Sequence, residues 1–142
     1  MIEVNNLTKS KIDRRFLITV AKKVIIGENI KKGELSIALI SPAEIKKLNK
    51  RYRRKNQPTD VLAFGQDKNF FEPELEEVII CPAVVRKNAK KYKVGFKKEL
   101  TRVLIHGILH LFGYDHEKGR RQAKKMENKE MYYFKKLFNS KR

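Results

Sequence analysis

Three observations predict an α+β fold for this chain, a single domain over residues 1–142 with a small four-stranded mixed sheet covered by about five helices. Short apolar runs of strand character are interleaved with longer stretches of helical period. At 142 residues, 41% hydrophobic and 35% charged, the chain suits one soluble domain with a real core. No repeat, low-complexity block or Pro/Gly linker divides it.

The elements follow in order. Ile2 to Asn5 reads as a first strand. Lys11 to Glu28 carries Phe16, Leu17, Val20, Ala21, Val24 and Ile25 at helical spacing. Gly33 punctuates, and Leu35 to Ile40 reads as a buried strand. Ser41, Pro42 and Glu44 form a helix start, with an N-cap hydroxyl, a proline at the first position and a capping-box acid; this helix runs to about Tyr52. Val61 to Phe64, entered through Pro58, Thr59 and Asp60, is a third strand, and Glu77 to Cys81 a fourth. Pro82 opens a helix to about Tyr92, which Gly95 separates from the next. Lys97 to Phe112 is apolar around most of its circumference and must therefore be central. A last helix from about Glu117 to Leu137 sets Ala123, Met126, Tyr133, Phe134 and Leu137 against many lysines.

Charge is the strongest compositional signal. Lys and Arg total 34 against 16 Asp and Glu, a formal net charge of +18, which points to an anionic partner, nucleic acid first. Cys81 is the single cysteine, so no intrachain disulfide forms, and a reducing, cytoplasmic location is expected. It closes an apolar run and reads as a small buried hydrophobe. Met1 to Asn5 lacks the basic-then-apolar design of a signal peptide, and apolar stretches such as Phe16 to Ala21 are too short to span a bilayer.

The 3 histidines are His106, His110 and His116, all inside the run HGILHLFGYDH. On a helix the first two lie roughly 40° apart on one face, one turn above the other, so both imidazoles can reach one ion. Gly113 offers the place where the helix ends and the chain turns back with the third. The pattern reads as a facial three-histidine site on the central helix with an open coordination position, as in a catalytic zinc centre. The same spacing occurs in metzincin proteases, but those place a glutamate beside the first histidine as general base. Here Gly107 holds that position, which makes peptide hydrolysis a poor expectation.

The run from His106 to His116 resembles the signature His-Gly-x-Leu-His-Leu-x-Gly-Tyr-Asp-His of the YbeY family, metal-dependent endoribonucleases of ribosomal RNA maturation. A second stretch, Leu48 to Phe64 (LNKRYRRKNQPTDVLAF), is similar to that family's Leu-Asn-x-x-Tyr-Arg-x-Lys-x-x-Pro-Thr-Asp-Val-Leu-Ser/Ala-Phe. Both lie in the expected order. One departure stands out: Glu76 and Glu77 occupy the place of a usual Gly-Asp pair, so the glycine's backbone freedom is lost there.

The resemblance implies one Zn2+ per chain on His106, His110 and His116, with Arg53 as a second functional residue in the cleft near the metal, so that Arg53 and His106 are the expected catalytic residues. That role suits a guanidinium, which can present two donors to a phosphodiester gaining charge. Asp60 and Asp115 are candidates for orienting a histidine ring or the water, and equally for capping turns. It also implies an RNA partner, chiefly ribosomal RNA precursor with the small ribosomal subunit. The basic clusters fit that partner: Lys50, Arg54 and Lys55, then Lys90 and Lys91, then Arg120 and Arg121, with Tyr52 or Tyr92 available to stack a base. Two other readings stay open, a metalloprotease-like hydrolase and a non-catalytic ribosome-associated RNA-binding factor.

Overall fold

The computed structural model describes residues 1–30, 33–65 and 75–138. The order is β1 (Ile2–Asn6), α1 (Arg14–Gly27), β2 (Glu34–Leu39), α2 (Pro42–Arg53), β3 (Val61–Phe64), β4 (Leu75–Ile80), α3 (Pro82–Tyr92), α4 (Phe96–Leu111) and α5 (Arg120–Phe138). The four strands form one mixed sheet in the order β1-β2-β4-β3. β1 and β4 flank β2 in parallel, and β3 runs antiparallel to β4. The α+β expectation of four strands and five helices therefore holds for the described residues.

The central strands β2 and β4 are covered on both faces, which explains their apolar runs, whereas the edge strand β1 leaves Glu3 and Asn5 exposed. Successive side chains of a strand point to opposite faces. Leu35, Ile37, Leu39, Val78 and Ile80 accordingly join α1 and α4 in the main core, while Ile79 joins Ile40, Ile45, Leu62 and Cys81 beneath α2. Helix α4 packs on α1, α3, α5, β3 and β4. Its Leu104, Ile105, Ile108 and Leu109 are wholly buried, each contributing roughly 1.5–3 kcal/mol relative to exposure. Whatever α4 carries is held by the best-packed part of the molecule.

Two helix starts differ from the sequence expectation. α1 begins at Arg14 rather than Lys11, because Asp13 takes the cap position and accepts a bond from the Phe16 N–H at 3.1 Å. α5 begins at Arg120 rather than Glu117. Residues 113–119 form a turn instead, in which Gly113 and Gly119 have φ of +99° and +118°, conformations that glycine adopts without steric cost. Glu76 and Glu77 sit in regular pairing with Leu35 and Ser36, so β4 runs undisturbed through the positions where the family signature has Gly-Asp. The chain leading into β4 lies outside the described residues. No described helix is long and apolar enough to cross a membrane.

Candidate active site and metal centre

Helix α2 delivers the first side chain. Arg53 is its last residue, because Arg54 adopts the left-handed conformation (φ +59°) and turns the chain. The loop that follows is stitched back onto α2: buried Asn49 donates from Nδ2 to the Gln57 carbonyl at 2.9 Å and accepts the Lys55 N–H at its own carbonyl at 3.3 Å. Cys81 N–H then binds the Asp60 carbonyl at 2.9 Å, joining the loop's end to the end of β4. These bonds bring Arg53, Lys55 and Asp60 from the α2–β3 segment into the lining of a cavity of about 270 Å³, which Arg102 and His106 of α4 and His116 also line. An adjoining cavity of about 320 Å³ is lined by Tyr52 and Arg53 together with His106, His110, Asp115 and His116.

Helix α4 carries His106 and His110, and its end sets His116. The Tyr114 N–H folds back to the Leu109 carbonyl at 3.2 Å across Gly113, which turns the chain towards α4 again. The rings of His106 and His116 then stand 5.1 Å apart, centroid to centroid. His106 Nδ1 lies 2.5 Å from Glu130 Oε2 on α5, and His110 Nδ1 lies 3.1 Å from the Tyr114 carbonyl. Acceptors at both Nδ1 atoms place a ring hydrogen there and leave Nε2 as the atom of each ring that can turn to a metal. The chemistry of this donor set fits a metal ion. The three rings share one cavity, yet among the described residues no three His, Cys, Asp or Glu side chains form a ready ligand cluster. His116 is 47% exposed on the Gly113 turn, so its movement towards the other two disturbs little packing.

Two carboxylates outside the sequence reading complete the site. Glu117 Oε2 lies 3.6 Å from Arg53 Nη2 and 3.8 Å from His116 Nε2. Glu130 holds His106. Nothing in the sequence singled them out, since each is one charged residue among many. Asp115 is committed locally: its Oδ1 accepts the Glu117 N–H at 2.9 Å, and that bond, helped by His110, Lys118 and His116, holds its carboxyl below the usual carboxylate range. Its side chain caps the turn. Asp60 lines the histidine cavity, with Thr59 Oγ1 3.4 Å away as a donor.

Of the basic residues proposed for RNA, Lys55 lines the cavity, whereas Lys50 on α2, Arg54 just beyond its end, and Lys90 and Lys91 on α3 stand exposed elsewhere. Arg120 and Arg121 border a separate open groove on α5. Tyr52 borders the histidine cavity with its ring against Phe64 at 5.2 Å, while Tyr92 stands on α3 with Lys91 above it. Gly107 explains the absent protease carboxylate in steric terms. A Cβ there would meet Val78 Cγ1 at 2.9 Å and Val61 Cγ2 at 3.2 Å, so the sheet occupies the space a side chain would need.

Comparison with known proteins gives this site its context. Residues 2–138 match the family model described as Endoribonuclease YbeY. The chain belongs to the YbeY family. A relative named Endoribonuclease YbeY from Thermotoga neapolitana is 43% identical over 115 residues, 81% of this chain and 74% of its own length. Another of that name, from a Sulfurihydrogenibium species, is 37% identical over 139 residues, 96% of this chain and 91% of its own. The solution structure of TM1509 from Thermotoga maritima superposes with a TM-score of 0.67 at 34% identity, covering 98% of this chain and 90% of that one. Both YbeY-like stretches, the α2–β3 segment and the end of α4, thus meet at the cavity that holds the histidines.

Proposed function

We propose that this chain is a zinc-dependent endoribonuclease that cuts single-stranded RNA during ribosomal RNA maturation, acting on small-subunit precursors and in ribosome quality control in the cytoplasm. The observation that carries the reading is the meeting of Arg53 with His106 and His116 in one cavity, in a chain that belongs to an endoribonuclease family. Residues 53 and 63 positions from Arg53 in sequence, on different parts of the fold, supply two imidazoles beside its cation for a phosphodiester.

Zinc held by His106, His110 and His116 would supply a Lewis acid at the phosphodiester and bring the pKa of a bound water to about 7. The chain's own residues bind and orient. Arg53 offers its guanidinium to non-bridging phosphate oxygens, a contact that strengthens as charge develops there. Glu117 shares Arg53 at 3.6 Å in the free protein, and an entering phosphate displaces it. Lys55 adds charge in the same cavity. Glu130 keeps the hydrogen of His106 on Nδ1 and the ring in place. The nucleophile is either water or the RNA's own 2′-hydroxyl. Products ending in 3′-hydroxyls support water, and 2′,3′-cyclic phosphates support the internal route.

Cleavage of end-labelled single-stranded RNA tests the reading, with wild type, His110→Ala and Arg53→Ala purified in parallel and each chelated and zinc-restored. Cleavage is expected only in metal-restored protein with His110 present, and about 10²–10³-fold slower in Arg53→Ala with its zinc retained. Equal cleavage by wild type and His110→Ala would assign the activity to a contaminant. RNA binding without cleavage, on naked RNA and on precursor particles alike, would favour the non-catalytic factor. The protease reading is disfavoured by the filled space at Gly107 and by the +18 net charge.

A further inference from the structure

Arg102 lies on α4 one turn before His106 and belongs to neither signature stretch. Its fork is fixed. Nε and Nη2 donate to the two carboxylate oxygens of Glu99 at 3.2 and 2.6 Å, and that carboxylate is 4% exposed. A buried carboxylate costs stability unless it is paired and hydrogen-bonded, and Arg102 satisfies it. The pair does more than satisfy Glu99, because Arg102 remains 43% exposed and lines the same cavity as Arg53, Lys55, His106 and His116. No described residue accepts a hydrogen bond from Nη1. The negative groups acting on this guanidinium are Glu99 at contact, then Asp60 in the same cavity lining and Glu130 on α5.

We propose that Arg102 binds a phosphodiester of the RNA chain flanking the one being cut, making it a substrate-binding residue that shares the cavity with Arg53. Glu99 pre-orients the guanidinium, so little side-chain entropy is lost when the phosphate arrives. The bidentate pair holds one edge of the fork and leaves Nη1 for the ligand. Arg53 and Arg102 are separate guanidiniums lining one cavity of about 270 Å³. Once phosphate displaces Glu117 from Arg53, the two offer donors to two successive phosphates of a chain. This rests on the ribonuclease reading above.

Replacing Arg102 alone would strand Glu99 as an unpaired buried charge, so the informative variant is the pair Glu99→Gln/Arg102→Gln. It keeps the shape of Glu99, shortens Arg102 to a neutral polar side chain, and leaves the net charge at +18, since one acid and one base are lost together. Binding of a 5′-labelled oligouridylate to metal-free protein would be measured across a salt series, with unfolding of each protein followed in parallel. The paired variant is expected to fold, to bind roughly tenfold more weakly, and to lower the slope of log K against log salt by about 0.7, the share of one single-strand phosphate. In zinc-loaded cleavage KM is expected to rise with kcat held within about twofold, the pattern of lost uniform binding. Affinity and salt slope equal to wild type would reduce Arg102 to the counter-ion of Glu99 and overturn the proposal. Wild type that binds no oligouridylate at any salt would overturn the ribonuclease reading with it.

Discussion

His106 is committed from two directions. Its backbone rides on α4 between wholly buried Ile105 and Ile108, and its Nδ1 meets a carboxylate that arrives from α5. Glu130→Gln preserves the side chain's shape but loses the charge that polarises the ring. It is expected to weaken zinc binding about 10–100-fold, read by competition with a chromophoric chelator; wild-type affinity in that variant would remove Glu130 from the metal site. The neighbouring Gly107 makes the opposite point, a residue needed for what it lacks. Alanine gains about 1 kcal/mol of helix propensity over glycine, but its Cβ would press on Val78 Cγ1 at 2.9 Å. Val78 is stiff at χ1 and buried, so overpacking of about 1–3 kcal/mol applies. Gly107→Ala is expected to lose about 1 kcal/mol net, and to lose nothing in a Val78→Ala background where the obstructing methyl is gone. Urea unfolding of the four proteins in that cycle checks it, and strict additivity would show that the two positions do not touch.

Between elements, Glu28 is the main tie. At the end of α1 it accepts Tyr114 Oη at 2.8 Å and Tyr133 Oη at 2.5 Å, and meets Lys129 Nζ at 3.1 Å. Gly27 makes this possible, because a Cβ there would overlap the Tyr133 ring. One carboxylate thus joins α1 to the turn that carries His116 and to the helix that carries Glu130. Burial alone would raise the Glu28 carboxyl, but Tyr133, Tyr114 and Lys129 together outweigh it and hold it below its ordinary value of 4.5. The carboxylate in turn raises Tyr114, which burial already pushes up, to about 12. A depressed carboxyl contributes stability that is complete above the unfolded value and is lost as pH falls through the folded one. The stability gap between wild type and Glu28→Gln is therefore expected to be flat from pH 7 to about 5 and to shrink below it; a gap independent of pH down to 3 would mean the charge of Glu28 contributes nothing. Little of this was legible in the sequence. Elements carried by periodicity, such as α4 and β2, could be read off, and so could the histidines, whose spacing is local. Glu28 and Glu130 act on partners chosen by packing, with Glu28 reaching 86 and 105 residues along the chain and Glu130 reaching back 24. In a sequence with 35% charged residues nothing distinguishes them beforehand. The start of α5 was misplaced for a related reason, since a turn stabilised by its own capping aspartate, one of the two readings open for Asp115, and by two glycines competes with helix extension.

At the scale of the whole molecule, the core and the candidate metal site are separable. The main cluster runs from Val4 through Leu17, Ile37 and Ile80 to Tyr133, and none of its members is a histidine. His110 and His116 are exposed and His106 is only partly covered, so the imidazoles sit at the rim of a core completed without them. The excess of positive charge acts over the same molecule, with +18 of self-repulsion that any bound anion relieves. Zinc should then stabilise by mass action without creating the fold. At about one hundred times Kd the gain is about 2.7 kcal/mol, a rise in Tm of roughly 8 °C for a chain of this size. Chelated protein is expected to keep a cooperative transition and native near-ultraviolet dichroism at that lower Tm, and His110→Ala to show the same Tm with or without zinc. A chelated protein that had lost its transition altogether would make the metal a structural pin for the last turn and α5. The apolar packing of α4 argues against that, because the helix is buried along its length before either imidazole finds a ligand.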